Sequence, residues 1–307
     1  MRAPTLKKIN IATLYLSISL VFAPLHLRAS AAEPLEVSQG EVVELKISGV
    51  GLTALEGHLG KNRILFYPAD GKNYAALVGI DLEAMPAIVN IVVKGTSKGG
   101  RRRDIQIPIK IKTKSFQHES FAVAPEFDDL GPDVLERIRQ EQQQLDQVFA
   151  TFTPERLWER PFISPVAAAI TSPFGYRRVI NGMPRAPHTG VDLRAPLGTE
   201  VLAANHGRVA LIGDFFFSGK SLVLDHGGGL YTMYFHLSEF KVEEGADVHK
   251  GDIIGLSGMT GRVTGPHLHW GARIGGARVD PFELIEKLRG KGESVAGSDL
   301  KIKRKEE

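Results

Sequence analysis

The sequence has no cysteine among its 307 residues. That excludes disulfides, thiol nucleophiles, cysteine-held zinc or iron–sulfur centres, and a lipid attached to an N-terminal cysteine. Any metal must be held by histidine and carboxylate. Charge of one sign is scarce as well: 38 Lys+Arg against 35 Asp+Glu leave a formal +3. No basic cluster is interleaved with aromatics, so the sequence offers no nucleic-acid surface. Beyond residue 31 no apolar run is long enough to span a bilayer, and no internal repeat is visible. What is present is the ordinary mix of a folded protein, 43% hydrophobic and 24% charged, with length for about two domains.

Residues 1–31 read as a secretory signal peptide. Arg2, Lys7 and Lys8 give a positive start, Ile9 to Ala23 an apolar stretch, and Ala29-Ser30-Ala31 a small-x-small cleavage site. The stretch is short for a membrane span and Pro24 follows it. The expectation is an exported protein of the periplasm or the extracellular cell envelope, with no transmembrane segment after cleavage.

The rest reads as mainly β. Residues 32–116 carry short strand-like runs, among them Glu41 to Ser48, Arg63 to Tyr67, Ala87 to Lys94 and Asp104 to Lys112. In the last run Ile105, Ile107, Ile109 and Ile111 alternate with polar residues, which gives one buried and one wet face. Pro108 places that run at a sheet edge. Asp70-Gly71 and Ser97 to Gly100 mark turns. The pattern predicts an immunoglobulin-like β-sandwich serving as a binding or spacer module. Residues 117–160 read as a helical connector, with a helix from Pro132 to Ala150 in which Leu135, Ile138, Leu145, Val148 and Phe149 share helical spacing. Thr153 to Trp158 is a candidate second helix. Residues 161–288 form a second, mainly antiparallel β domain closed by a short helix from Pro281 to Leu288. Residues 289–307 are a charged tail, predicted to be disordered.

Chemistry concentrates in the histidines. Seven of the ten fall between His188 and His269. In a strand, residues two apart share a face, so His267 and His269 point into one space. His188 and Asp192 are four apart, and a bend at Gly190 brings both side chains to one metal. Two imidazoles and a carboxylate suit zinc, and three protein ligands leave a fourth position for water, as in catalytic sites. His236, the polar end of the aromatic run Tyr231 to Phe235, is an acid/base candidate beside such a site. His206, His226 and His249 sit in turns and read as surface residues. Gly213 to Ser221 imitates a phosphate-binding loop, but its glycine spacing is wrong and no helix follows.

Thr171-Ser172-Pro173-Phe174-Gly175-Tyr176-Arg177, His188-Thr-Gly-Val-Asp192, Tyr234-Phe235-His236-Leu237 and Gly265-Pro266-His267-Leu268-His269, in this order and spacing, resemble the lysostaphin/LytM-type metallopeptidases of the M23 family. The resemblance covers about residues 165–285. It implies a β-rich fold with one zinc on the floor of a groove and hydrolysis of peptide cross-links in bacterial peptidoglycan. By position it implies His188, Asp192 and His269 as zinc ligands and His236 and His267 as catalytic histidines. Some members have lost ligands and act only as amidase activators, which raises a non-catalytic wall-binding module or amidase activator for this chain. That is the alternative reading, and the five filled positions stand against it.

Overall fold

The computed structural model describes residues 33–48, 52–97, 99–124, 127 and 130–289. The expected signal peptide lies outside them, as does the expected tail apart from Arg289. That residue is not tail: its backbone N–H caps the last helix on the Glu286 carbonyl. Among the described residues no helix is long and apolar enough to cross a membrane.

The chain is mainly β, as the alternating patterns predict. Its N-terminal part forms two sheets. One orders Leu35–Ser38, Arg102–Lys112, Ile88–Ser97, Leu52–Leu59 and Asn62–Ile64; the other orders Val42–Ser48, Asn73–Gly79 and Tyr67–Pro68. Ile91, Val93, Ile109 and Ile111 of the first meet Val43, Leu45, Ala76 and Val78 of the second in one core. Pro108 refines the edge expectation. Arg102–Lys112 is flanked on both sides only from Ile109 onward, because Leu35 pairs with Ile109. Pro108 stands just before the doubly paired stretch, where a missing N–H costs no ladder bond.

The small sheet is buried on both faces. The neighbours of its inward residues, Val42, Tyr67, Ala75 and Leu77, belong to the core of the second half, with Trp158, Phe162 and Phe174. Arg278 fastens the same junction, its guanidinium reaching Asp81 at 2.6 Å and Glu83 at 3.0 Å. The sandwich is therefore packed against the second half as one continuous body, not attached as a separate spacer.

The connector is helical only over Pro132–Ala150, where Pro132 occupies the first turn. Thr151 ends the helix in extended backbone, and residues 151–160 contain no helix. Pro154 disfavours helical backbone at Thr153. The segment instead runs along the Gly227–Gly229 turn, with bonds from Gly228 N to Thr153 O and from Leu157 N to His226 O. Upstream, His118–Phe121 is a strand, paired in parallel with Arg177–Ile180. The helix rests Leu145, Val148 and Phe149 on Leu211, Phe215 and Tyr231 of the second half, so its C-terminal end is docked on that half.

The second half is built on a ten-stranded sheet whose main path orders Ile170–Ser172, Gly190–Leu193, Leu268–Ile274, Leu230–Phe240, Gly219–Asp225, Gly207–Phe215 and Asp247–Val248. The stretch that imitates a phosphate loop is the hairpin between two of these strands. The closing helix spans Pro281–Leu288. Asp280 accepts from the Phe282 N–H at its start, and Leu284, Ile285 and Leu288 are buried beneath it.

Candidate metal centre

Register places the site. Ser172 pairs with Asp192, Asp192 with His269 and His269 with Phe235, giving one row across four adjacent strands. Directly paired residues project to the same face, so Asp192 and His269, 77 positions apart in sequence, become neighbours. The Phe235 ring stacks on His269 at 5.3 Å between centroids and fixes its plane. His188 arrives from the segment before Gly190–Leu193. Gly190 does not bend the chain as its spacing suggested. It lies in the strand opposite Gly271, and a Cβ there would stand 2.5 Å from Trp270 O and 2.7 Å from His269 Nε2. The glycine makes room for the His269 ring.

Three ligand-type atoms converge. His188 Nε2 lies 3.0 Å from Asp192 Oδ1 and 2.9 Å from His269 Nδ1, and His269 Nδ1 lies 2.9 Å from Asp192 Oδ1. All three residues are buried, and they form a group with the composition and spacing to hold a metal ion. Tetrahedral zinc ligands at about 2.0–2.2 Å from the ion stand roughly 3.3 Å from one another, so this triangle fits with a slight expansion. The tautomer of His188 also fits: its Nδ1–H faces Pro173 O at 3.0 Å and Ser172 Oγ at 3.1 Å, which leaves the Nε2 lone pair for the triangle.

Electrostatics keep the donors in binding form. Burial by itself would raise the Asp192 carboxyl, but the His188 and His269 imidazoles against it hold it well below the usual carboxylate range. Burial pushes His269 down to about 4, so its imidazole is neutral at pH 7. Burial, with the neighbouring His267 ring acting in the same direction, pushes His236 down to about 3.

The two further histidines adjoin the triangle. His267 forms an isolated bridge with Gly258 just ahead of the Leu268–Ile274 strand, and its Nε2 lies 3.7 Å from Asp192 Oδ1. Its Nδ1–H is held by Gly265 O at 2.9 Å. His236 does not end its strand, as the aromatic run suggested. It sits inside Leu230–Phe240 with φ of 63°, where the strand leaves Leu268–Ile274 and takes up Ile253–Ser257. Left-handed backbone at a histidine is costly, by about 1–3 kcal/mol, and the kink turns the ring toward His267, 4.8 Å away between centroids. Thr260 O holds its Nδ1–H at 2.9 Å. Both histidines thus have one nitrogen tethered and the other free.

Sequence reasoning placed two other groups wrongly or not at all. His226 is fully buried, not a surface residue, with Nδ1 bonded to His206 O and Nε2 to Thr232 Oγ1. Ser172, Arg178 and Glu119 were given no role, yet they surround the triangle. Arg178 Nη2 lies 3.1 Å from Asp192 Oδ2, and Glu119 binds both Arg178 and Ser172. A lone Glu in a β-rich linker carries no spacing signal, since the pairing that makes it relevant is long-range.

A buried donor triangle flanked by half-tethered imidazoles is a candidate metal centre with proton carriers beside it. Residues 186–281, which bear the triangle, match the model of Peptidase family M23. DD-carboxypeptidase/endopeptidase Mpg of Neisseria meningitidis serogroup B is 44% identical over 119 residues, 39% of this chain and 27% of that protein. Peptidoglycan DD-endopeptidase ShyA of Vibrio cholerae is 42% identical over 115 residues, 37% of this chain and 27% of the relative. The chain thus spans about a quarter of the length of these curated relatives. A crystal structure from Pseudomonas aeruginosa assigned to peptidase M23 superposes with a TM-score of 0.65 at 29% identity, covering 82% of this chain and 95% of that one. That likeness extends over most of the fold, sandwich included.

Proposed function

We propose that the protein is a zinc-dependent endopeptidase that hydrolyses peptide cross-links of bacterial peptidoglycan, with one zinc per chain held by His188, Asp192 and His269. The observation that carries this reading is the convergence of three ligand atoms within 3.0 Å, in a domain whose relatives are named for DD-endopeptidase activity. When bound, zinc supplies Lewis acidity and a water that ionises near neutral pH.

His236 and His267 do the proton work. Each presents a lone pair at Nε2, because Nδ1–H is held by Thr260 O or Gly265 O. One Nε2 takes the proton of the attacking water, and the protonated imidazole stabilises the charge developing on the scissile carbonyl oxygen before returning the proton to the leaving amine. Sequestration from water favours the neutral, proton-accepting form of His236. Export through residues 1–31 puts the protein in the envelope compartment, where its substrate is.

Mass spectrometry of purified sacculi after incubation with the zinc-loaded protein tests the reading. New muropeptides released by cleavage within cross-links are expected. Intact sacculi, with zinc shown to be bound, would leave a wall-binding module or amidase activator in its place.

A further inference from the structure

Asp192 divides its two oxygens between tasks. Oδ1 faces His188, His269 and His267, and Oδ2 meets Arg178 at 3.1 Å. The guanidinium thereby holds the carboxylate in the rotation that turns Oδ1 to the triangle. Arg178 does not stand alone. Its Nε donates to Glu119 Oε1 at 2.7 Å, and the two residues are direct partners in the parallel pairing of His118–Phe121 with Arg177–Ile180. The other oxygen of Glu119 accepts from Ser172 Oγ at 2.8 Å. A serine hydroxyl that donates to a carboxylate has its lone pairs free, and His188 Nδ1 lies 3.1 Å from it. One carboxylate therefore reaches two ligands by two routes, to His188 through a hydroxyl and to Asp192 through a guanidinium.

Charge makes the arrangement specific. A divalent cation on Asp192 with Arg178 beside it places three positive charges around one carboxylate. Glu119 returns a negative charge to that cluster, with about a fifth of its side chain and of the Arg178 side chain exposed. Carboxylates behind a histidine ligand also raise its basicity and fix its tautomer. Glu119, Ser172 and Arg178 all lie outside the region 186–281 that matches the family model.

We propose that Glu119, carried on the linker strand between the sandwich and the second half, is a positioning residue of the metal centre, orienting His188 through Ser172 and Asp192 through Arg178. The linker strand is then part of the metal site. The proposal rests on the reading of the triangle as a zinc site.

The test is zinc affinity of the full chain by chelator competition, for wild type, Glu119→Gln and Gln117→Ala. Glutamine keeps the size of Glu119 but turns one acceptor into a donor facing Arg178 or Ser172. A 10- to 100-fold weaker zinc affinity is expected for Glu119→Gln, with the melting temperature of the metal-free protein unchanged. Gln117→Ala removes the bond to the Tyr176 hydroxyl, another tie of the same linker. It is expected to bind zinc as wild type does, which separates the carboxylate from general docking of the segment. Wild-type affinity in Glu119→Gln, or equal losses in both variants, would overturn the proposal and leave the zinc reading standing. A wild-type protein that binds no zinc would overturn both.

Discussion

His226 and His269 are both buried, and burial pushes both imidazoles down to about 4. By burial and by acidity they are the same kind of residue. Their nitrogens tell them apart. His226 has both ring nitrogens engaged by fixed partners, His206 O and Thr232 Oγ1, in a chain that continues through the Tyr234 hydroxyl to Ala204 N. His269 shares its Nδ1 with two other ligand-type atoms, and next to it His267 and His236 keep one nitrogen each unspent. A perturbed histidine is thus no sign of a site by itself. Imidazole nitrogens left without a hydrogen-bond partner beside a group of ligand-type atoms are the stronger mark, because such nitrogens add nothing to the hydrogen-bond satisfaction of the fold.

The comparison breaks most sharply under substitution of a ligand. His188→Ala is expected to abolish stoichiometric zinc binding, weakening affinity by more than the roughly 100-fold that follows loss of an outer partner, and activity goes with it. His226→Asn is expected to retain one zinc and to lose stability instead. Elemental analysis of both purified variants checks this. Zinc retained by His188→Ala, or lost from a folded His226→Asn, would erase the distinction between the two groups.

A finer division lies within the site. His267 stands 3.7 Å from the Asp192 oxygen, and it has a tethered Nδ1 and a free Nε2. His267→Ala is expected to keep zinc and to lower kcat by about 10²- to 10⁴-fold, the usual range for removal of a general acid–base. Turnover of sacculi at fixed zinc occupancy measures it. Near-normal turnover would assign the proton work to His236 alone.

The two groups differ in how far the sequence exposes them. The pairs His188 with Asp192 and His267 with His269 were legible as local spacing, while the choice of His269 over His267 as the third ligand came from the resemblance to the M23 family. The helices over Pro132–Ala150 and Pro281–Leu288 were legible for a similar reason: proline at the first turn and apolar residues at helical spacing are local marks. His226 was not, because the two groups that enclose it, His206 O and Thr232, reach it through strand pairing rather than through its Asp-His-Gly turn. The role of Gly190 was misjudged likewise, since the atoms that demand a glycine belong to His269 and Trp270 on the neighbouring strand. The shared core between the sandwich and the second half also left no local trace, because Val42 and Val43 look alike in sequence and face opposite ways. What is encoded within a few residues could be read, and what depends on register between distant strands could not.

The smallest expected effect concerns pH. His226 has a folded value of about 4 against 6.5 for a free imidazole, with burial as the cause. Below 6.5 the unfolded chain takes up a proton that the folded protein refuses until about pH 4, so the unfolded state binds more protons in that window. The contribution is therefore complete above about pH 6.5, shrinks as the pH falls, and is gone below about pH 4. A depression of this size corresponds to about 3 kcal/mol. Protonation would also put a second N–H on the ring where it faces the Thr232 hydroxyl. His226→Asn removes the titrating group, so the stability gap between wild type and variant should be widest near neutrality and narrow toward pH 4. Denaturant titrations of zinc-loaded protein across that range measure it. The site histidines differ here, because a bound metal competes with their protons and their share of the pH dependence should shift with zinc concentration. The His226 share should not, and a gap that moved with zinc would mean that the two groups are energetically one.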